Sequence, residues 1–231
     1  MENKIIKNTN DNLSFKWHSK VKGLQVINGK NNFPISWLNQ QGYCEYSLYL
    51  QLIKKIKVGP TQAMIRGTSE HQILEDDFKA TATPTTFEEA LKTSKETEIL
   101  SREFQVNSPE NGIRGFIDEI WMTPKEFVII DDKPGTTPYD STINQVRAYC
   151  LAFKDMILGD NRPIKGALRE RGTDNIFFIE DFTDDTEKSI KFLINRMDGL
   201  FNETKPFLPT KNHNKCLKCR FQSYCDYSKI P

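Results

Sequence analysis

The chain has 231 residues and a mass of 26.8 kDa, which suits one large domain or a core with a lid. Hydrophobic residues make up 37% and charged residues 27%, with 32 basic against 31 acidic side chains and a mean hydropathy of -0.58. These figures leave enough apolar residues for a core. They exclude a globally basic nucleic-acid binder, so any DNA contact must use a local surface.

The elements follow in chain order. Residues 1–33 are polar and weakly patterned, with one short strand expected at Gly23–Ile27. Ser36 reads as the cap of a helix running to about Lys57, where Val58-Gly59-Pro60 stops it. A second helix is predicted from Thr61 to Phe78, a loop over Ala80–Thr86 and a helix over Phe87–Leu100. Three strands then follow, Glu103–Val106, Ile113–Met122 and Glu126–Asp132, with Asn107-Ser108-Pro109 and Thr123-Pro124-Lys125 as turns. Tyr139–Leu158 returns to helix, Ile164–Arg169 and Asn175–Asp181 are strands, and Thr183–Asn202 is helical. The tail from Lys205 reads as loop. This order predicts an α/β fold, a central mixed sheet flanked by helices. No apolar run reaches the roughly 20 residues of a membrane span. The polar, charged N-terminus does not read as a signal peptide, so a cytoplasmic protein with no membrane partner is expected.

The segment from Gly115 to Gly135 carries the most chemistry. A hairpin turn centred between Pro124 and Lys125 sets Asp118 directly opposite Asp131. Directly opposed side chains have Cβ atoms about 4.5–5.5 Å apart. Alternation puts Phe127, Ile129, Asp131 and Lys133 on one face and turns Asp132 to the other. Two opposed carboxylates repel unless a cation lies between them, and Mg²⁺ or Mn²⁺ suits oxygen ligands. A surface hairpin with solvated charges accounts for the same residues.

Five cysteines are present. Cys44 stands alone, Cys150 reads as a small buried hydrophobe, and Cys216, Cys219 and Cys225 form a C-x2-C-x5-C cluster. Thiolates at this spacing suit zinc or an iron–sulfur cluster, with His213 a candidate fourth zinc ligand. A phosphate-binding loop at Gly23–Lys30 fails, because five residues separate its glycines where four are needed.

Gly115-x-x-Asp118 followed by Ile130-Asp131-x-Lys133 resembles the core of the PD-(D/E)XK nucleases. Gln145-x-x-x-Tyr149 and Gly67-x-x-x-His71 resemble two further motifs of the RecB-like branch. The cysteine spacing resembles its iron–sulfur subset, which includes CRISPR-associated exonucleases that trim prespacers. The resemblance runs over residues 36–226 and implies a restriction-endonuclease-like core in a single nuclease domain. Its parts are a helical N-terminal part (34–100), a nuclease core (101–203) and a cluster-binding tail (204–231). It implies a metal-dependent exonuclease on single-stranded DNA or overhangs, trimming prespacers with CRISPR integrase proteins or working with a separate helicase; the alternatives are a standalone repair or phage-borne nuclease and a non-catalytic DNA-binding scaffold of the same fold. His71, Asp118, Asp131 and the backbone carbonyl of Asp132 would hold Mn²⁺ or Mg²⁺. Lys133, Gln145 and Tyr149 would complete the catalytic set. Cys44, Cys216, Cys219 and Cys225 would hold a [4Fe-4S] cluster joining the N-terminal helix to the C-terminal tail. Relatives in this group carry Pro-Arg after the upstream cysteine, where this chain has Glu45-Tyr46.

Overall fold

The structure is a computed structural model that describes residues 1–7 and 13–228. Its described strands form one mixed sheet: β1 (Glu2–Lys7), β2 (Lys16–Trp17), β3 (Gln25–Ile27), β4 (Lys30–Pro34), β5 (Thr83–Thr86), β6 (Ile99–Ser108), β7 (Ile113–Met122), β8 (Phe127–Lys133), β9 (Ile164–Glu170) and β10 (Ile176–Asp181). The main path runs β10-β9-β8-β7-β4-β3-β2, with β6 and then β1 and β5 branching from β7. The helices are α1 (Ser36–Tyr43), α2 (Glu45–Leu48), α3 (Gln62–Thr81), α4 (Phe87–Thr93), α5 (Asp140–Met156), α6 (Asp184–Phe201) and α7 (His213–Leu217). No described helix is long and apolar enough to cross a membrane.

β7 organises everything around it. One of its edges pairs with β6 along its length, antiparallel. The other edge is shared between two strands. β4 runs parallel to Ile113–Arg114, and β8 runs antiparallel to Glu119–Met122. Between them, Gly115–Asp118 has no ladder partner on that edge among the described residues. The sheet forks there.

Both strands of the β6–β7 pair also lose their alternation at this level. In β7 the buried positions Ile113 and Ile117 are odd, and Ile120 and Met122 are even. In β6 Ile99 and Ser101 give way to Phe104 and Val106. The register on either side stays the same, but the pair between, Glu103 and Asp118, drops out of the ladder. Glu103 has a φ of 50°, a left-handed conformation costly for a non-glycine residue.

The core lies between the sheet and α1, α5 and α6. Phe153 of α5 sits among Phe87, Phe104 and Phe127, with ring centroids 5.1–6.2 Å apart in edge-on packings. Cys150 is buried in this layer, and a side chain at Gly166 of β9 would press on its sulfur at 3.1 Å.

Several expectations need correction. The helix from Ser36 does not run on to Lys57. It breaks at Cys44, resumes as α2 and ends in one π-helical turn, Tyr49–Ile53. Ser36 is its first helical residue rather than its cap. Ala80–Thr86 is not all loop, since β5 pairs in parallel with β1 and satisfies its backbone there. The Phe87 helix ends at Thr93, and Ile99–Leu100 belong to β6, where they extend the antiparallel pair. The N-terminal third holds four strands where one was expected.

Candidate active site

The fork in the sheet collects the acidic side chains. In the β7–β8 ladder Glu119 pairs with Ile130, so the next step sets Asp118 against Asp131, the opposition read from the turn. Asp118 Oδ2 accepts the Asp132 backbone N–H at 2.7 Å, which takes over the role of a ladder bond. Glu103 faces Asp118 from the other side, at the gap in the β6–β7 ladder. Three carboxylates therefore stand in a row across three strands.

α3 brings a histidine to that row. Thr61 caps the helix by accepting from the Met64 backbone N–H at 3.3 Å. His71 Nε2 lies 3.2 Å from Asp118 Oδ1 and 2.9 Å from Glu103 Oε1. Ligand atoms of His71, Glu103 and Asp118 all fall within 4.8 Å of one another. Arg171 holds the helix in place. Its guanidinium donates to the carbonyls of Gly67 in α3 (3.3 Å) and Asp132 in β8 (3.2 Å). Gly67 has no side chain to obstruct this, because a Cβ there would sit 2.9 Å from Arg171 Nη1.

Asp131 is 2% exposed and Asp132 1%. Asp131 Oδ2 is ion-paired with the Lys133 ammonium at 2.5 Å. Lys133 Nζ also donates to Gln145 Oε1 at 3.1 Å. Gln145 Nε2 in turn donates to Tyr149 Oη at 3.4 Å, one helical turn on. Asn39 of α1 donates to the same Gln145 oxygen at 3.1 Å. A side chain at Gly115 would strike the Tyr149 ring at 2.9 Å, so the glycine lets the ring lie against β7.

The electrostatics follow from this crowding. Burial pushes the Asp131 carboxyl up to about 7; the Lys133 charge opposes this and the Asp118 charge adds to it. Burial also works to raise Asp118, but the His71 contact, the Lys133 charge and the Asp132 N–H outweigh it and hold it below the usual range. Contacts with Asp118 and then Glu103 push His71 up to about 10. Burial and the Asp131 and Asp118 charges raise the Tyr149 phenol, so it stays protonated.

The expected residues His71, Asp118, Asp131, Lys133, Gln145 and Tyr149 are thus brought together. Asp132 differs in kind. Its carboxylate points to the other face, where Arg102 Nη2 (2.9 Å) and Arg169 Nε (2.8 Å) bind it, and its carbonyl accepts from Arg171. Glu103 and Asn39 were not anticipated. The phase break in the apolar positions of β6 and β7 is the one sequence signal that marks Glu103. Arg147 is forked onto Glu180 at 2.6 and 2.8 Å, and Arg171 is engaged with carbonyls, so neither is a ready phosphate ligand. Arg66 stays solvent-exposed beside Glu70.

The donor set fits a divalent cation. Among the described residues, Glu103 Oε1 and Asp131 Oδ2 are buried and meet only the His71 imidazole and the Lys133 ammonium, and carboxylate oxygens suit Mg²⁺ or Mn²⁺.

A second cluster forms where the C-terminal tail meets the break between α1 and α2. Cys44, Cys216, Cys219 and Cys225 line one small cavity, which His213 does not line. Thiolates gathered in this way suit zinc or an iron–sulfur cluster. Burial raises the Cys219 and Cys225 thiols, and charge on Cys44 or Cys216 adds to this in both. A bound cation would offset that cost. Glu45, which departs from the Pro-Arg pattern, fastens the tail: it pairs with Arg196 at 2.7 Å and accepts the Leu208 N–H at 3.0 Å.

Residues 27–133 match the family model described as Exonuclease V, a 5′ deoxyribonuclease. The match takes in His71, Glu103, Asp118, Asp131 and Lys133, and supports a nuclease. No curated protein matches the chain. Among solved structures, SSO0001 is 16% identical over 87% of this chain and 89% of that one, with a TM-score of 0.43. A candidate exonuclease from Eubacterium rectale is 14% identical over 87% of this chain and 90% of that one, with a TM-score of 0.49.

Proposed function

We propose that the protein is a metal-dependent DNA exonuclease of the PD-(D/E)XK type, acting on single-stranded DNA or overhangs. The observation that carries this reading is the meeting of His71, Glu103 and Asp118 within 4.8 Å, beside the buried Asp131–Lys133 pair. His71, Glu103, Asp118 and Asp131 are the residues that would hold Mn²⁺ or Mg²⁺. Such an ion, when bound, polarises a phosphate and acidifies water.

The remaining work falls to the chain itself. Lys133 has ammonium protons to donate to a phosphate oxygen as negative charge grows in the transition state. Gln145, fixed by Asn39, keeps that ammonium aimed along β8. Tyr149, protonated at all working pH values, adds a neutral donor close to the negative row.

The four cysteines are the proposed holders of a structural [4Fe-4S] cluster, since phosphodiester hydrolysis needs no electron transfer. The family match, to a 5′ deoxyribonuclease, supports cutting from 5′ ends.

The test is degradation of single-stranded DNA labelled at one end or the other, with Mn²⁺ or Mg²⁺, beside Asp131→Ala and Lys133→Ala. Wild-type protein should shorten the strand only with metal, and both variants should lose cleavage while keeping fold and cysteine cluster. Variants that cut at the wild-type rate would remove the site assignment. The labelled end reports polarity.

A further inference from the structure

We propose that the groove beside Gly115 binds the bases of a single DNA strand on exposed aromatic rings and leads that strand to the candidate active site. The proposal rests on the nuclease reading above for the site to which the groove leads.

The groove encloses about 910 Å³ and runs between β3, β4 and the first half of β7, close to the fork in the sheet. Gly115 and Tyr149 line it, and Tyr149 is hydrogen-bonded to Gln145, which holds Lys133, so one wall of the groove backs onto that chain. Its walls carry exposed rings. Phe116 is 53% exposed and Phe15 is 41% exposed. Trp17, 62% exposed, packs edge-on against Phe15 at 5.0 Å and extends the aromatic surface along β2. Every base has a π-face, so rings of this kind hold single strands with little regard to sequence.

The charges in and beside the groove point to phosphate. Arg114 lines it and donates through Nη2 to the Gly23 carbonyl at 2.7 Å. Its other terminal nitrogen, Nη1, is buried with no hydrogen-bond partner. No carboxylate pairs with Arg114 among the described residues, and burial alone acts on its pKa, lowering it. It is a cation without a counter-ion. Lys16 and Lys22, on the same edge of the sheet, are exposed and have no ion-pair partner among the described residues. Of the two acids of the lining, Glu110 is paired with a cation and Asp155 is held by neutral donors. Glu110 pairs with Lys30 at 2.8 Å, and Asp155 accepts from Ser108 and from Asn111 at 2.7 Å. Duplex DNA would bury its bases and leave the rings unused, which is why a single strand is the occupant that fits.

The experiment measures binding of oligothymidylates of about 4, 8 and 16 nucleotides, the span of single-strand site sizes, without divalent metal so that nothing is cut. Affinity should rise with length and Trp17 fluorescence should be quenched, a signal absent from Trp17→Phe. Phe116→Ala and the double variant Phe15→Ala/Trp17→Ala should each lose about tenfold on the longest strand, the loss expected for one stacked base. Their losses on the shortest strand should be much smaller. Wild-type affinities in the variants at every length would overturn the proposal. So would a concentration-dependent dimer abolished by Phe116→Ala, which would assign the groove to a second copy of the chain. Cleavage with Mn²⁺, run on the same proteins, separates the two readings. Length-dependent binding without cleavage removes the nuclease and leaves the groove; cleavage with unaltered variants does the reverse.

Discussion

A proton on His71 does for the metal-free protein what a cation would do for the loaded one. It lies between Asp118 and Glu103, and those two carboxylates hold it until about pH 10. The sign of its effect is fixed: the folded value lies above the ordinary 6.5. His71 thus contributes stability to the metal-free protein in full below about 6.5, and loses it as pH climbs through about 10. A metal needs the imidazole neutral, so binding must expel that proton, and affinity should increase with pH. Mn²⁺ titrations at neutral pH in two buffers of different ionisation heat should show about one proton released from His71, plus a fraction from Asp131, whose carboxyl titrates near 7. No release would mean that His71 is not a ligand. Arg171 can be tested on the same instrument. Its flat fork reaches two carbonyls at once, which a lysine cannot do. Arg171→Lys should weaken metal binding by roughly tenfold to a hundredfold, as outer-sphere changes do, with α3 amides exchanging faster; unchanged exchange in α3 would show that Arg171 does not hold the helix. At this scale the sequence was legible where motifs name residues, as with Asp118, Asp131 and Lys133. Glu103 was not, because the phase break that marks it in β6 names no chemistry and a lone glutamate in a strand looks like any solvent-facing charge.

The strands owe their spacing at the fork to charges on the opposite face. Next in sequence to the acidic row, Glu103, Asp118 and Asp131, stand Arg102, Glu119 and Asp132, and Arg169 of β9 completes the group. Arg102 binds Glu119 at 2.5 Å and Asp132 at 2.9 Å, while Arg169 binds the same two at 2.8 Å each. Trp121 Nε1 adds a bond to Glu119 at 2.7 Å. All four charges are buried and they sum to zero. Losing one member leaves a buried ion without its partner, which costs about 3–5 kcal/mol. Arg169→Met should therefore lower stability by that amount in urea unfolding. The neutral exchange Arg169→Met/Asp132→Leu should cost clearly less than the single change, and an additive pair would show that the four do not act as a unit. Elements whose apolar residues repeat cleanly, such as α5 and β8, could be read from the sequence to within a residue or two. β1 and β5 could not, because each is short and polar and gains its backbone partners from segments distant in the chain, and β4, though it pairs with neighbouring β3, opens on the polar run Lys30-Asn31-Asn32. The helix from Ser36 was overextended for a related reason: its break at Cys44 is made by the returning tail. Thr210 N–H donates to the Cys44 sulfur at 3.3 Å, and Leu208 accepts from Tyr46 N–H at 3.1 Å.

At the scale of the molecule, that tail closes the chain on itself. Lys215 donates to the Gly42 carbonyl at 2.8 Å, Tyr43 donates to the Lys215 carbonyl, and Arg220 reaches Gln51 at 2.8 Å. These are half-exposed polar contacts, each worth about 1 kcal/mol net. A cluster held by Cys44 and the three late cysteines would fasten the same junction covalently. In the chain-entropy account, closing a loop of roughly 170 residues is worth on the order of 5 kcal/mol, a large share of the whole stability of a domain. The acidic row lies in the sheet and draws on none of the four thiols. Cluster loss should therefore destabilise the whole fold and free the tail before it alters the metal ligands. Protein purified without oxygen should be brown, with a broad band near ~400 nm. Cys44→Ser should lose the colour, melt at a lower temperature and be cut by trypsin in the tail at Lys211 while the core stays intact. At temperatures where the variant is still folded, Mn²⁺ affinity should match the wild type. A colourless preparation with stoichiometric zinc would sink the iron–sulfur assignment. Equal melting and equal proteolysis with and without the cluster would sink the staple, leaving Glu45 and Arg196 to hold the tail alone.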